Sequence, residues 1–557
     1  MTRLRALGVL LALAGAVALG LVWLAWPAWW LAAMLLWPLG SAVALVSLPR
    51  QDPGWVRACA RMLAVGGLGL GLVPLAATTA LQAQAFTLEV PWIEALGARL
   101  ALQVDGISLW FIILANLVHV VALQVGWGSI QHKLKEFAAA LALLQATLTL
   151  AFAATDLLLF YLAWELTLLP ALLLIGLWGG AGAFRAAGKF FLFTLAGSLA
   201  MLLAVAFIAW RYAALAGTPS LLLSDLGRMV LPYREQAWVF AAFALAFAVK
   251  VPLLPLHGWL PDTYRQAPTA VTLVLSAVLA KLGAFGFLRW ALPLCPLAAH
   301  YAMPTLGALA VVGIVYGAFC AWSQRDLKSM LAYSSLSHLG FVMLGIFSLN
   351  SGAIAGAILQ VVSHGLLSAG LFAFVAVLAR RGHAGAFADL SGLAAAMPMG
   401  AVLLTVLALG AVGLPGTSAF VAEFMVLSGA AVAGAYYPWH LALVGGALLG
   451  VLFGAVYVLR LIRHVIMGPP EAAQQTWPDL HPGERVVLWP LALLVLAIGL
   501  YPRLVLDSVE PAVKRYRAEL LEARGAAASD DAPRLRPAIP VQTDAGGELA
   551  LWQRGEP

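Results

Sequence analysis

Apolar runs of about 20 residues recur along nearly the whole chain, broken by short polar turns. Each run is long enough to cross a hydrocarbon core about 30 Å thick. The runs predict spans at residues 4–26, 28–48, 57–82, 104–127, 137–153, 157–178, 188–212, 236–256, 268–292, 302–322, 329–348, 353–380, 395–430, 437–460 and 487–506. That makes about 14–15 helices. Apolar and polar residues do not alternate within the runs, as the strands of a membrane barrel require, so the pattern is that of an all-α polytopic membrane protein.

Composition sharpens this. The chain is 63% hydrophobic and 10% charged, with a mean hydropathy of +0.94. Soluble domains average about 45–50% apolar and about 25% charged residues, so a soluble fold has no means of hiding this surface. The net charge of +7 reads as topology, not as affinity for nucleic acid. With the N-terminus inside and the spans alternating, the inner segments carry Arg3, Arg5, Arg50, Arg57, Arg61, Lys133, Lys135, Arg185, Lys189, Arg265, Arg325, Lys328, Arg380, Arg381, Arg460, Arg463 and Arg485. The outer loops carry Arg99, Arg228 and Arg234, with Arg211 and Arg289 at helix ends. Cytoplasmic enrichment of Lys and Arg orients membrane proteins in this way.

The two ends differ from the middle. Residues 1–20 have the basic start, apolar stretch and small residues of a retained helix or of a signal peptide, and either leaves the later spans unchanged. Residues 507–524 (DSVEPAVKRYRAELLEAR) predict a short amphipathic helix, and the polar residues 525–557 predict little fixed structure. Leu551 and Trp552 there either dock on a neighbour or stay loose.

Four ionisable residues stand in or beside apolar runs: Glu165 in 157–177, Lys250 in 241–252 (AAFALAFAVKVP), Lys281 in 272–287, and Glu423. Such a group at the centre of a span costs about 2.5–3.5 kcal/mol, so it is seldom there without a role. No cluster of polar residues of substrate size accompanies them, which points to protons as the cargo. Two segments share the pattern A-V-x-apolar-Pro, residues 248–252 (AVKVP) and 411–415 (AVGLP). Each proline removes a backbone donor and should interrupt its helix. Paired interrupted helices in two halves of a chain mark transport sites. His338 and His364 lie in consecutive spans, and histidine titrates near neutral pH. A satisfied core histidine, a static Glu165–Lys250 ion pair and a snorkelling Lys281 are the structural alternatives.

Residues 247–269 (FAVKVPLLPLHGWLPDTYRQAPT), 324–343 (QRDLKSMLAYSSLSHLGFVM), 362–371 (VSHGLLSAGL) and 414–425 (LPGTSAFVAEFM) resemble the antiporter-like proton-translocating subunits of respiratory complex I. The resemblance runs from about Asp105 to about Arg503. Glu423 places it on the M-type branch (subunit 4 in mitochondria), since the sister L and N types carry lysine there. The resemblance implies two inverted five-helix repeats, each with a broken helix. It divides the chain into N-terminal helices 1–103, a first half 104–292 with repeat 1, repeat 2 at 293–467, a last helix with its loop at 468–506, and a polar tail 507–557. An extra N-terminal span and a long tail depart from that family.

The resemblance further implies that Glu165 pairs with Lys250 as a switch. Lys281, His338 and His364 then carry protons, and Glu423 is the exit group. His257 and Asp262 either admit protons or only order the loop, with the structural role favoured, as it is for Asp156 and Asp326. Tyr333, Ser334, Ser335 and Ser337 supply hydroxyls near His338. No GxGxxG loop and no metal-ligand spacing occurs, and Cys59, Cys295 and Cys320 are isolated. The expectation is therefore no cofactor and no metal, with redox chemistry in partner subunits. Expected partners are L-like and N-like neighbours, lipids and protons, with no nucleic acid, in a bacterial inner membrane. The rival readings are a hydrogenase or multisubunit Na⁺/H⁺ antiporter subunit, a non-conducting scaffold, and a solute carrier.

Overall fold

The computed structural model describes residues 28–49, 52–76, 86–382, 385–470, 474, 477–528 and 533–536. The expected span 4–26, the end of the span 57–82, and residues 537–557 of the tail, with Leu551 and Trp552, lie outside the described residues.

Among the described residues, twelve helices are long and apolar enough to cross a membrane. They begin with α1 (Trp29–Ser47) and α2 (Pro53–Ala76), followed by a hairpin of β1 (Thr87–Ile93) and β2 (Ala98–Gln103). Next come α3 (Ser108–Gly126), α4 (Leu134–Ala153), α5 (Leu157–Trp178) and α6 (Ala183–Ala216). After the short strand β3 (Met229–Val230), the first interrupted helix runs as α7 (Tyr233–Lys250) and then α8 (Leu260–Gln266). Then follow α9 (Thr269–Leu294), α10 (Pro296–Ser323), α11 (Leu327–Phe347) and α12 (Ser351–Arg380). The second interrupted helix is α13 (Pro398–Ala411) with α14 (Ser418–Ala433). The chain finishes with α15 (Trp439–Ile466), α16 (Pro482–Leu500), α17 (Arg503–Ala528) and strand β4 (Arg534–Leu535). Each expected span from 28–48 onward has its helix, and the two expected breaks fall at their prolines.

Two expectations need correction. The loop after α2 holds an antiparallel hairpin, Thr87–Ile93 against Ala98–Gln103. Its strands are seven and six residues long, too short to stand out beside runs of span length. The tail is also more ordered than its polarity suggests. α17 continues to Ala528, beyond the expected Arg524, and β4 pairs with β3. The helix is held because Val505, Val509, Val513 and Leu520 are buried on one face. Trp110 donates to the Ser508 hydroxyl at 2.8 Å, and Arg517 donates to the Leu349 carbonyl at 3.1 Å.

The core lies around α9 and α12, whose apolar stretches are buried throughout, and α11, which is nearly so. These three helices carry Lys281, His364 and His338. The outer ring exposes apolar side chains such as Phe184, Leu203, Trp210 and Leu452, as a lipid-facing or subunit-facing surface does. Close contact in the centre depends on glycine. A Cβ at Gly283 would lie 2.5 Å from the Phe247 carbonyl oxygen and 2.8 Å from the Val251 nitrogen. Only the missing side chain lets α9 press against the first break.

Basic side chains gather at one end. Lys135 donates to the carbonyls of Val46 and Leu48, Lys328 to those of Arg265 and Ala267, and Arg380 to that of Val125. Arg381 forks onto Glu484 at 3.1 and 3.0 Å. This is the inner end by the charge rule. Asp156 accepts from Leu158, Leu159 and Arg99 backbone N–H groups, and Asp326 caps α11 through Ser329 N–H, so both have structural roles.

Candidate functional site: two titratable clusters at the helix breaks

The first break follows from its prolines. Pro252 and Pro255 supply no N–H, so the ladder of α7 stops at Lys250. Val251 N–H still reaches the Phe247 carbonyl at 2.8 Å, and Leu253 N–H reaches Ala248 at 2.8 Å. The Val249 carbonyl takes the Trp259 indole N–H at 2.8 Å. Lys250 is thus the last residue of α7, where the helix dipole favours a cation. The second break uses Gly413 in the left-handed region, φ +76, with a 2.7 Å bond from the Thr417 hydroxyl to the Leu414 carbonyl. Glu423 sits in the second turn of α14, on the N-terminal side where the dipole favours an anion. The two interrupted helices run in opposite directions. α7 approaches its break from the outer end and α13 from the inner end, so both charged residues belong to outer half-helices with reversed dipoles.

Around the first break, Lys250 is fully buried. Its ammonium donates to the Thr167 hydroxyl at 3.1 Å and lies 4.9 Å from the Trp164 ring centre. Glu165 is close enough to act on it electrostatically. Among the described residues, however, no ion pair closes between them, and one Glu165 carboxylate oxygen is buried without a hydrogen-bond partner. The expected Glu165–Lys250 contact is therefore a separated pair. The reason is geometric: Thr167, on the same helix as Glu165, takes the ammonium.

Around the second break the contacts are continuous. Lys281 follows a π-helical turn, Leu275–Leu279, in which Ala280 N–H bonds to the Leu275 carbonyl. The wide turn spares the Ser276 carbonyl, which accepts from the Lys281 ammonium. The same ammonium lies 2.7 Å from His364 Nδ1. The rings of His364 and His338 are 5.4 Å apart, centre to centre. His338 Nδ1 lies 3.1 Å from Glu423 Oε1, and Gln360 donates to the same oxygen at 3.0 Å. Beside this row is a cavity lined by Ser334, Ser335, His338, Gln360, His364 and Ser368, among others. About 10 Å³ of it is open to the centre of a water-sized sphere, room for about one water.

Of the six expected residues, then, the structure joins Lys281, His364, His338 and Glu423. It keeps Glu165 and Lys250 apart from them: among the described residues no hydrogen bond links Lys250 to the Lys281 row. Of the expected hydroxyls, Ser335 bonds Ser276 at 2.9 Å and Ser334 bonds the Tyr457 hydroxyl at 2.8 Å. Ser337 instead holds the Ile314 carbonyl, a structural role. Asp262 pairs with Lys189 at 2.7 Å at the half-exposed edge. The sequence reading missed Thr167, Ser276, Gln360, Ser368 and Tyr457. A signal existed for Gln360: it is a polar residue in an apolar run, one helical turn before His364, hence on the same face.

The fold and site define a polytopic membrane protein that buries a row of titratable side chains between two oppositely directed broken helices. The family model for NADH:quinone oxidoreductase/Mrp antiporter transmembrane proteins matches residues 154–450, and the chain belongs to this family. It is similar to NAD(P)H-quinone oxidoreductase chain 4 1 of Synechococcus sp. (strain JA-3-3Ab), at 37% identity over 92% of this chain and 96% of the relative. It is 38% identical to NADH-quinone oxidoreductase subunit M of Rhodobacter capsulatus, over 77% of this chain and 84% of that one. Its structure resembles a chain of respiratory complex I from Thermus thermophilus with bound NADH, with a TM-score of 0.79 and 32% identity, covering 88% of this chain and 99% of that chain. The kinship expected from the four motifs is thereby borne out.

Proposed function

We propose that this chain is the M-type membrane subunit of a complex I-like NADH:quinone oxidoreductase and moves protons while other subunits carry the redox chemistry. The observation that carries this reading is the buried row Lys281–His364–His338–Glu423, whose groups follow one another through the three most buried helices and onto α14. Such groups cost too much in a dry interior to be retained for packing alone. Lys281 takes a proton, the two histidines relay it, and Glu423 releases it toward the outer end. Lys250 and Glu165 form a second charged cluster whose state biases the row through space, since opposite charges strengthen one another at low dielectric. L-like and N-like membrane subunits are its neighbours, and a bacterial inner membrane is its location.

The test is Lys281→Ala in the assembled complex, reconstituted in vesicles with NADH and quinone. The expected outcome is loss of proton pumping with the complex still assembled. Normal proton-to-electron stoichiometry in that variant would return the chain to the role of a scaffold. Co-purification with nickel-containing or Na⁺/H⁺ antiporter partners, in place of quinone-reducing ones, would move it to another complex of the same family.

A further inference from the structure

The row at the second break has no drawn connection to the inner end, yet the return from the first break supplies one. The short helix α8 brings Tyr264 into the core, where the residue is fully buried. Its ring packs edge-on against Trp259 and against Phe372 of α12. Its hydroxyl is buried with no partner at ordinary hydrogen-bond geometry, and Ser276 is the side chain that acts on it. Ser276 already belongs to the Lys281 network. Its hydroxyl accepts from Ser368 at 2.7 Å and bonds Ser335 at 2.9 Å, while its carbonyl accepts from the Lys281 ammonium. One gap therefore separates the phenol from the first group of the row.

The other side of Tyr264 leads to the inner end. Thr263, next to it on α8, also has a buried hydroxyl without a partner, and so does His257 Nδ1 at the start of the same return. Asp262 meets Lys189 at the half-exposed edge, and the Lys328 ammonium rests on the Ala267 carbonyl at 2.6 Å. Buried polar atoms are satisfied almost without exception, by protein or by water. Phenylalanine would fill the same ring packing without an orphaned hydroxyl. Three orphaned polar atoms thus fall within residues 257–264, the return that connects the Asp262–Lys189 edge to Tyr264.

We infer that Tyr264 is the intake group for the Lys281 row, its hydroxyl joined by water to Ser276 on one side and to the inner end on the other. This rests on the proton-carrying reading above. The phenol acts without ionising. Its oxygen accepts a proton from a protonated water on the inner side as its own proton passes to the water at Ser276. One O–H bond forms as another breaks, the phenol stays neutral, and the positive charge moves from the first water to the second. Rotation about the Cζ–Oη bond resets it.

The experiment is Tyr264→Phe in the assembled complex in inverted vesicles, beside Lys281→Ala. Tyr264→Phe keeps the ring and removes one oxygen. The expected result is parental assembly, a pumping rate about a hundredfold lower, and a larger solvent deuterium isotope effect on pumping than in the parent. A merely structural role would leave the isotope effect unchanged. Parental rate and isotope effect in Tyr264→Phe, with pumping lost in Lys281→Ala, overturns the intake route and leaves the proton-carrying reading intact. Parental pumping in Lys281→Ala overturns that reading and this route with it. If Tyr264→Phe does not assemble, Ser276→Ala takes its place: a slowed rate with a raised isotope effect supports the route, and parental behaviour overturns it.

Discussion

The two helix breaks are built from the same local sequence pattern and end in opposite chemistry. At the first, the outer half-helix presents its C-terminus and ends on Lys250. At the second, the outer half-helix presents its N-terminus and carries Glu423 one turn further in. Running the interrupted helix in the reverse direction reverses the dipole at mid-membrane, and each charged residue is of the sign its helix end favours. Their surroundings differ as much. Lys250 is held by one hydroxyl and an indole face. Glu423 is held by a histidine and an amide, which continue through a second histidine to Lys281. A charge gripped by one neutral partner can be biased from a distance. A charge inside a row of neighbouring titratable groups has somewhere to pass a proton. On the proposed function, the first break senses and the second conducts.

The sharpest way to break this comparison is to cut the row. His364→Leu removes the ring between Lys281 and His338 and keeps the volume apolar. The expected outcome is a loss of pumping of about a hundredfold, the lower range for removing a proton-transfer group, with assembly retained, measured by dye quenching in vesicles. If His364→Leu pumps normally, the second cluster is not the conduit, and the contrast between the breaks disappears.

Next in size is the first cluster. Lys250→Ala and Glu165→Gln should both leave assembly intact and sharply reduce pumping, with Lys250→Ala the more severe. Glu165 closes no ion pair, so its loss removes only a through-space bias. Equal and complete loss in both would mean that Lys250 and Glu165 meet directly in the working complex. Thr167→Val tests the same cluster more gently. It is nearly isosteric, and a hydrogen bond to a charged group is worth about 1.5–3 kcal/mol. The expected outcome is pumping between that of the parent and that of Lys250→Ala, and parental pumping would show that the hydroxyl does not set the state of Lys250.

The sequence made the spans legible because hydrophobic length is a strong signal and the charge asymmetry checks the alternation. It made Lys250, Lys281, His338, His364 and Glu423 legible because each is costly in an apolar run. It did not show that Lys250 and Lys281 belong to separate networks. Both are lysines in apolar runs, and what separates them is which side chain of another helix reaches each ammonium: Thr167 in one case, His364 in the other. Ser276 and Thr167 were illegible for a related reason. Serine and threonine are common in membrane helices as backbone-bonded packing residues, as Ser337 is here on Ile314. Only tertiary contact distinguishes the two uses. The amphipathic pattern of 507–524 was legible, but residues 525–528 and the strand β4 were hidden by composition, since a polar segment resting on protein and one lying free in solvent share the same average.

The smallest effect concerns how the two breaks are anchored at the inner end. The return from the first break is tied by Lys189–Asp262, a partly exposed pair, worth about 0–1 kcal/mol and weakened by salt. The approach to the second is tied by Asp479, which accepts from the backbone N–H groups of Met399 at 2.9 Å and Gly400 at 3.1 Å at the start of α13. Burial pushes the Asp479 carboxyl up, but those N–H groups, that of Leu480, and the nearby Arg485 outweigh it and hold it below the ordinary carboxylate range. A folded value below the unfolded one means stabilisation that is complete above the unfolded pKa, about 3.9, and is lost as pH falls through the depressed value. Asp479→Asn keeps one acceptor oxygen and loses the other with the charge, so it should cost about 1 kcal/mol at neutral pH, the usual net worth of a hydrogen bond, and the gap from the parent should close as the solution is acidified into that window. Asp262→Asn should cost less, and high salt should erase its effect. Thermal unfolding of the purified complex at several pH values and two salt concentrations reads both. A larger loss from Asp262→Asn than from Asp479→Asn would mean that the first break, not the second, depends on its inner anchor for shape.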